Sequence, residues 1–378
     1  MRNVLVIGGS FSSIPILKEI IKVGYSPIVI SSDKNEPGHK LAARSVYCDY
    51  SDIDKSIDAL KIIHFDYVVP TCNDSAYKLG AVIANDRALP GYDELPICDI
   101  IGSKKLFRQF TELNKISAPK QYRGDNPSTE LKLPVIVKPN QSFSGRGISI
   151  VKALDKLAGA KNIARENSDD FDYSIEEFVE GSLHSVSLII DDLKILDYFF
   201  VDEFCQTYEY QVDNSNFPST LTDETQYEVL ETMKSIILKM NLTRGLLHTQ
   251  FIKNESGHKI IEMMRRCPGD LYGKLIELSS NYPYHKNYVM GYVDGKFEAY
   301  SKSTPKYIAR YTDTSRSNKT FEYLKFKKPP LMIYTLKSPG DEVLPAPYDK
   351  TSVIFMEFES LEKMSKAQPN FSHEYLWC

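Results

Sequence analysis

Three short apolar runs open the chain: NVLVI at 3–7, PIVIS at 27–31 and YVVP at 67–70. A Gly-Gly-Ser turn follows the first, then a helical period placing Ile14, Leu17, Ile20 and Ile21 on one face and stopping at Gly24. Strands alternating with helices predict a parallel sheet covered on both sides. This unit spans residues 1–95. At 378 residues the chain is long for one core, so two or three domains are expected. The next is placed at 96–290, with a lid subdomain at about 118–182, and a β-rich part at 291–378 completes the substrate region.

The stretch VIVKPNQSFSGRGISIV, residues 135–151, is an apolar strand that ends on Lys138, loosens into small residues and resumes as a strand. Amide groups of a serine-glycine turn can approach a polyphosphate closely, and a lysine adds a point charge. A Walker loop is excluded, because neither GxxxxGK nor a following helix is present. Lys104–Leu113 reads as a helix, and IEEFVEG places acidic residues at a strand exit. Thr222 caps a long helix carrying Val229, Leu230, Met233, Ile236, Ile237 and Met240 at helical spacing.

The segment LLHTQFIKNESGHKIIEMMRRCPGD folds on paper into a hairpin with a three-residue loop, Glu255-Ser256-Gly257. Asn254 then pairs with His258, Gln250 with Glu262, and His248 with Met264. Strand alternation puts Glu262, Met264 and Arg266 on one face with Gln250 and His248. A carboxylate, an amide, an imidazole and a guanidinium interrupting so apolar a strand point to chemistry rather than packing.

Net charge of −4 and a pI near 6.0 give no electrostatic case for nucleic acid. No apolar run approaches the roughly 20 residues of a membrane span, and MRNVLVIGG enters a strand without a signal-peptide layout. Cysteines 48, 72, 98, 205, 267 and 378 are scattered without zinc spacing and read as reduced thiols in a cytoplasm. The histidines form no HExxH. The turn GGSFSS and Asp33 sit where a dinucleotide-binding loop and its ribose acid would lie, but Phe11 and Ser13 occupy the places of the second and third glycines. Nicotinamide-dependent oxidoreduction stays open as an alternative.

In their order, Ser-Lys opening a helix, VKP with a serine-glycine loop, EEFVEG, and a strand pair ending E-x-x-x-R resemble the ATP-grasp superfamily of carboxylate–amine ligases. The first unit resembles that family's Rossmann-like pre-ATP-grasp domain, so the likeness covers residues 1 to about 290 and is nearest to the amino-acid ligase and biotin-carboxylase-like branches. The resemblance implies an α/β and α+β fold with ATP between two subdomains, and a cytoplasmic ligase that uses ATP and Mg2+ (or Mn2+). Its reaction would pass through an acylphosphate that an amine attacks. Lys104 and Lys138 would contact the phosphates, and Ser142, Ser144, Gly145, Arg146 and Gly147 would form the lid. Glu176, Glu177, Phe178 and Val179 would face adenine, the backbone of Glu177 and Val179 reading the base. His184 stands beside Leu183, where relatives carry a ribose-binding acid. Glu262 and Gln250 would hold metal. Arg266, with His248 or Arg265, would grip the substrate carboxylate. Gln250 and Met264 depart from the family's acid and asparagine, which leaves a non-catalytic ATP-binding relative open. The implied partners are a small carboxylate, an amine and a second copy of the chain, with no nucleic acid or membrane.

Overall fold

The computed structural model describes residues 2–123, 131–142, 144–301, 303–368 and 376–377. Residues 124–130 and 143 of the expected lid, and Cys378, lie outside them; the five described cysteines are free. Strands β1 (Asn3–Ile7), β2 (Ser26–Ser31), β3 (Arg44–Tyr47) and β4 (Tyr67–Pro70) form a parallel sheet ordered β3-β2-β1-β4. Helices α1 (Ile14–Lys22), α2 (Ile53–Leu60) and α3 (Asp74–Arg87) connect its strands or follow them. The strand missing from the sequence reading is β3, a half-exposed edge strand with no apolar run to announce it. Helix α1 buries Ile16, Leu17 and Ile20, whereas Ile21, expected inside, is 44% exposed. The helix at 284–290 packs along α1 and sets which stripe is covered.

Helices α4 (Leu95–Gly102) and α5 (Lys104–Leu113) lead into the lid sheet. The Ser103 side chain accepts the Leu106 N–H and so starts α5. Strands β5 (Gln121–Tyr122), β6 (Val135–Pro139), β7 (Ser149–Val151) and β8 (Tyr173–Glu177) pair antiparallel in the order β5-β8-β6-β7. Helix α6 (Leu157–Glu166) covers them over a small core of Val135, Val137, Val151, Ala160 and Ile175.

The opposing wall is an eight-stranded antiparallel sheet. Its strands are β9 (Ser182–Asp191), β10 (Lys194–Phe204), β11 (Asn214–Phe217), β12 (Gly245–Asn254), β13 (Gly257–Met264) and β14 (Tyr307–Asp313). Two short ribbons follow, β15 (Lys319–Thr320) with β18 (Glu342–Val343) and β16 (Lys325–Phe326) with β20 (Leu376–Trp377). With β17 (Met332–Thr335) and β19 (Ser352–Phe358) the sheet runs β13-β12-β9-β10-β11-β14-β19-β17. Asp192 and Leu193, both at positive φ, form the tight β9–β10 turn that Asp191-Asp192 signalled. Helix α7 (Asp223–Met240), capped by Thr222, seals one face with Val229, Met233, Ile236, Ile237 and Met240, as its period predicts. Helices α8 (Tyr272–Ser280) and α9 (Tyr284–Met290) bring tyrosines 284, 288 and 292 into the same core as the first sheet. The last helix, α10 (Leu361–Ala367), packs on β14 and β19.

The β12–β13 hairpin corrects the paper fold at its tip. Asn254 pairs with Gly257 and Lys253 with His258, so the turn is shorter by one residue than expected. An irregularity between Gln250 and Phe251 then absorbs Ile261, and Gln250 faces Glu262 and His248 faces Met264 after all. The two departures cancel where it matters. Among the described residues no helix is long and apolar enough to cross a membrane.

Candidate active site

Because directly opposed residues share a face, register places Ser185, Ser187, Glu203, Ser215, His248, Gln250, Glu262 and Arg310 on one side of the large sheet, away from α7. That side and the lid sheet bound a cleft of about 1480 Å³, which residues of α3, α4 and α5 also line. Lys104, Lys138 and Glu262 all line it, as do Ser142, Ser144, Gly145 and Arg146 of the lid turn. Phe178 and Val179 of the strand exit line it too, with His248, Gln250 and Arg266. Residues 158 positions apart in the chain, Lys104 and Glu262, thus meet in one space.

Lys138 is buried, and its Nζ donates to Glu176 Oε2 at 2.9 Å; Arg108 Nη2 reaches the same oxygen at 3.1 Å. Burial alone would raise the Glu176 carboxyl, but Arg108 and Lys138 hold it down at about 2. Burial pulls the Lys138 ammonium below its usual value against the attraction of Glu176. Glu176 therefore does not face a base, contrary to expectation: it points inward, 0% exposed, as counter-ion to two cations. The Glu177 N–H is committed to Lys120 O, and its carboxylate to Lys259, so its amide reads no base edge. Val179 carries no such commitment among the described residues.

Ser144, Gly145 and Gly147 take positive φ of 56°, 71° and 73°, curling the lid turn toward the loop 205–213. There Tyr208 Oη donates to Gly145 O at 3.2 Å, and a Cβ on Gly145 would lie 2.3 Å from Tyr210 O. Arg146 stacks over the Tyr348 ring at 4.9 Å. Gly147 packs behind the turn on Asn167 and Pro139 rather than lining the cleft.

Two further expectations are corrected, and a third is narrowed. His184 lies on the α7 face of β9, stacked on Phe251, with Nδ1 to Asp202 Oδ1 at 2.8 Å and Nε2 to Ser182 Oγ at 2.7 Å. Both ring nitrogens are used within the fold, so it is no substitute ribose ligand. Arg265 is a buried clasp whose nitrogens bind Asp93 and the carbonyls of Leu246 and Thr243, leaving nothing for a substrate. His248 is polar but not cationic: burial, then Arg266 and Arg310, lower its pKa to about 3. It meets Ser187 Oγ through Nδ1 at 2.8 Å.

Sequence reading missed Glu203, which holds Gln250 Nε2 at 2.5 Å and Ser185 Oγ at 2.7 Å beside Glu262. Burial, with Glu262 nearby, raises its carboxyl against the pull of Ser185, Arg310 and Gln250. Acids interrupting the apolar run FFVDEF carried the same signal as KIIEMM. It missed Arg310 and Lys350 as well, since the region after 290 looked poor in chemistry. Arg310 donates to Ser215 Oγ and Asp270 O, Lys350 pairs with Asp270, and both cations line the cleft. Glu262 accepts no hydrogen bond among the described residues. Beside it Glu203 and Gln250 bring only oxygen and amide groups, a hard donor set of the kind magnesium takes. The Met264 thioether adds nothing to such a set.

The Rossmann-like turn is engaged within the fold. Glu36 Oε2 already accepts the Gly9 N–H at 3.0 Å, and a Cβ on Gly38 would lie 2.7 Å from Gly9 Cα. The turn at Pro37–Lys40 thus packs directly on Gly9, and nothing here supports the dinucleotide alternative.

A family model of the ATP-grasp domain matches residues 101–269. Phosphoribosylamine–glycine ligase of Pyrococcus furiosus is 24% identical over 295 residues, covering 70% of this chain and 66% of that protein. D-alanine–D-alanine ligase of Flavobacterium johnsoniae is 26% identical over 301 residues, covering 70% and 89%. The chain spans from about half to two thirds of the length of the first curated relatives it matches. Among solved structures, L-amino acid ligase from Bacillus licheniformis superposes with a TM-score of 0.81 at 16% identity, over 100% of this chain and 98% of that one. Phosphoribosylglycinamide synthetase from Anaerococcus prevotii gives 0.76 at 17% identity, over 99% and 98%. The region that holds the cleft, residues 101–269, thus matches the ATP-grasp domain, and the whole chain shares the fold of the ligase structures it resembles.

Proposed function

We propose that the protein is an ATP-dependent ligase that activates a substrate carboxylate as an acylphosphate and joins it to an amine, releasing ADP and phosphate. The observation that carries this reading is the convergence of Lys104, Lys138 and Glu262, under a lid turn, in one cleft. A drug-sized ligand site occupies about 300–1,000 Å³; a cleft of about 1480 Å³ has room for a nucleotide and a second molecule.

Phosphoryl transfer needs positioning and charge neutralisation more than covalent help. Lys104 and Lys138 offset phosphate charge, while the buried Glu176 and Arg108 fix the height of the Lys138 ammonium. Magnesium, held by Glu262 with Glu203 and the Gln250 carbonyl, would neutralise the triphosphate. Arg266 steadies the carboxylate as its oxygen attacks the γ-phosphorus and the bond to the β-γ bridging oxygen breaks. The lid turn, held by Tyr208, keeps water from the acylphosphate. The amine then attacks the acyl carbon, phosphate leaves with the bonding pair, and the amine loses a proton to give the amide. The neutral His248 helps to orient that carboxylate by polarity rather than charge.

The test is ADP release by purified protein with ATP, Mg2+ and a panel of carboxylic acids, with hydroxylamine as a small amine that captures acylphosphate as hydroxamate. Wild type should form hydroxamate with at least one acid, and Glu262→Ala should abolish it. Unchanged turnover in Glu262→Ala would refute the metal assignment, and ATP binding without ADP from any acid would favour a non-catalytic module.

A further inference from the structure

Two consecutive arginines leave β13, and each meets an aspartate from the first hundred residues. Arg265 and Asp93 are each 1% exposed, and their contact is 2.8 Å. Asp93 also accepts the Thr243 N–H and hydroxyl, and Tyr77 donates to it. That pair is sealed in the core and fastens the strand's exit to the first sheet's helices.

Arg266 turns the other way, into the cleft. Its Nε and Nη2 fork onto Asp74 Oδ1 and Oδ2 at 2.7 and 2.8 Å, and Nη1 donates to Cys267 O at 3.3 Å. Three of five N–H groups are committed, and one on each terminal nitrogen remains. The Arg266 side chain is 12% exposed and that of Asp74 58%, so this acid is not hidden for packing. Its base is nonetheless rigid: Asp74 is the first residue of α3, and the Asn73 side chain caps that helix by accepting the Ser75 N–H at 2.9 Å. Asp74 also lies within the field of Lys104, and both residues line the cleft.

We propose that Asp74 is a positioning residue: its bidentate grip turns the Arg266 guanidinium so that the two remaining N–H groups meet the substrate carboxylate. A long arginine side chain without that grip samples many rotamers, and a misplacement of about 1 Å can cost about 100-fold in rate. The N-terminal unit is then part of the catalytic site through one side chain. Asp93 supplies the control, because it grips the neighbouring arginine without reaching the substrate.

This inference rests on the ligase reading, and the experiment separates the two. Wild type, Asp74→Asn, Asp74→Glu and Asp93→Asn are compared in the hydroxamate assay, in calorimetry with ADP and Mg2+, and in thermal melting. The Arg266 Nε–H signal is followed in protein labelled with 15N-arginine and assigned with Arg266→Lys. Asp74→Asn should lose the protected Nε–H signal and raise KM for the acid about 10-fold or more. Its ADP affinity and melting point should stay at wild-type values, and Asp74→Glu should recover part of the KM. Asp93→Asn should lower the melting point instead. An Asp74→Asn enzyme with the signal lost but KM for the acid unchanged, or with ADP and acid weakened alike, overturns the proposal and leaves the ligase reading standing. No hydroxamate from wild type with any acid overturns both.

Discussion

At the scale of single residues, Glu176 carries the lid's stability rather than its specificity. Arg108 and Lys138 share one of its oxygens in a space closed to water. Removing one partner of such a group leaves charge buried without compensation, typically about 3–5 kcal/mol. Glu176→Gln should therefore lower stability by that order in urea denaturation while the lid sheet still forms. Linkage gives a second readout. The carboxyl lies at about 2 in the folded chain against a usual 4.5, so it stabilises above about pH 4.5, and about 3 kcal/mol is lost as pH falls toward 2. Glu176→Gln should lack that part of the acid slope; an unchanged slope would refute the pairing. What was legible at this scale followed from strand alternation and pairing: His248 and Gln250 share a face because they lie two positions apart on one strand, and Glu262 joins them because the hairpin pairs it with Gln250. Glu203, Arg310 and Asp74 were not legible in this way, because each reaches the site from a strand or helix whose register against β12 no local pattern encodes.

Elements were legible in proportion to their apolar period. The helix at 223–240 and the β9–β10 hairpin announce themselves, whereas β3 and the short strands after 300 are edge or ribbon pieces with little burial to enforce a pattern. The lid turn was recognised by its small residues, but the surface it closes on was not, because the loop 205–213 reads as a plain connection. Gly145 is where the two touch. An alanine there would combine an unfavourable φ of 71° with a Cβ 2.3 Å from Tyr210 O. Gly145→Ala should displace the turn and weaken ADP–Mg2+ binding about 10-fold by calorimetry, with the melting point nearly unchanged. Equal affinity in the variant would show that the turn does not cover the nucleotide.

For the whole molecule, the two ends of the large sheet come from distant parts of the chain. Strand β11, four residues long, pairs with β10 on one side and β14 on the other. A chain ending at Met290 would lack β14, β17 and β19 and expose that edge, together with the backbone it pairs through. Such a truncation should be insoluble or aggregate during gel filtration, since an unpaired interior strand recruits other chains; a monomeric, cooperatively melting product would refute this. The sequence reading placed the C-terminal region as completing the substrate part and found no chemistry there, because Arg310 and Lys350 become meaningful only once β14 and β19 are docked.

That late docking has a bearing on synthesis. Strand β19, which pairs with β14, ends at Phe358, 96 positions beyond Glu262. Every residue up to β19 must therefore have left the ribosome before the wall carrying Arg310 can close, and pairings so remote in the chain form slowly. A nascent chain would hold its lysines long before it holds a finished acid pocket, so the order of translation itself defers the first turnover.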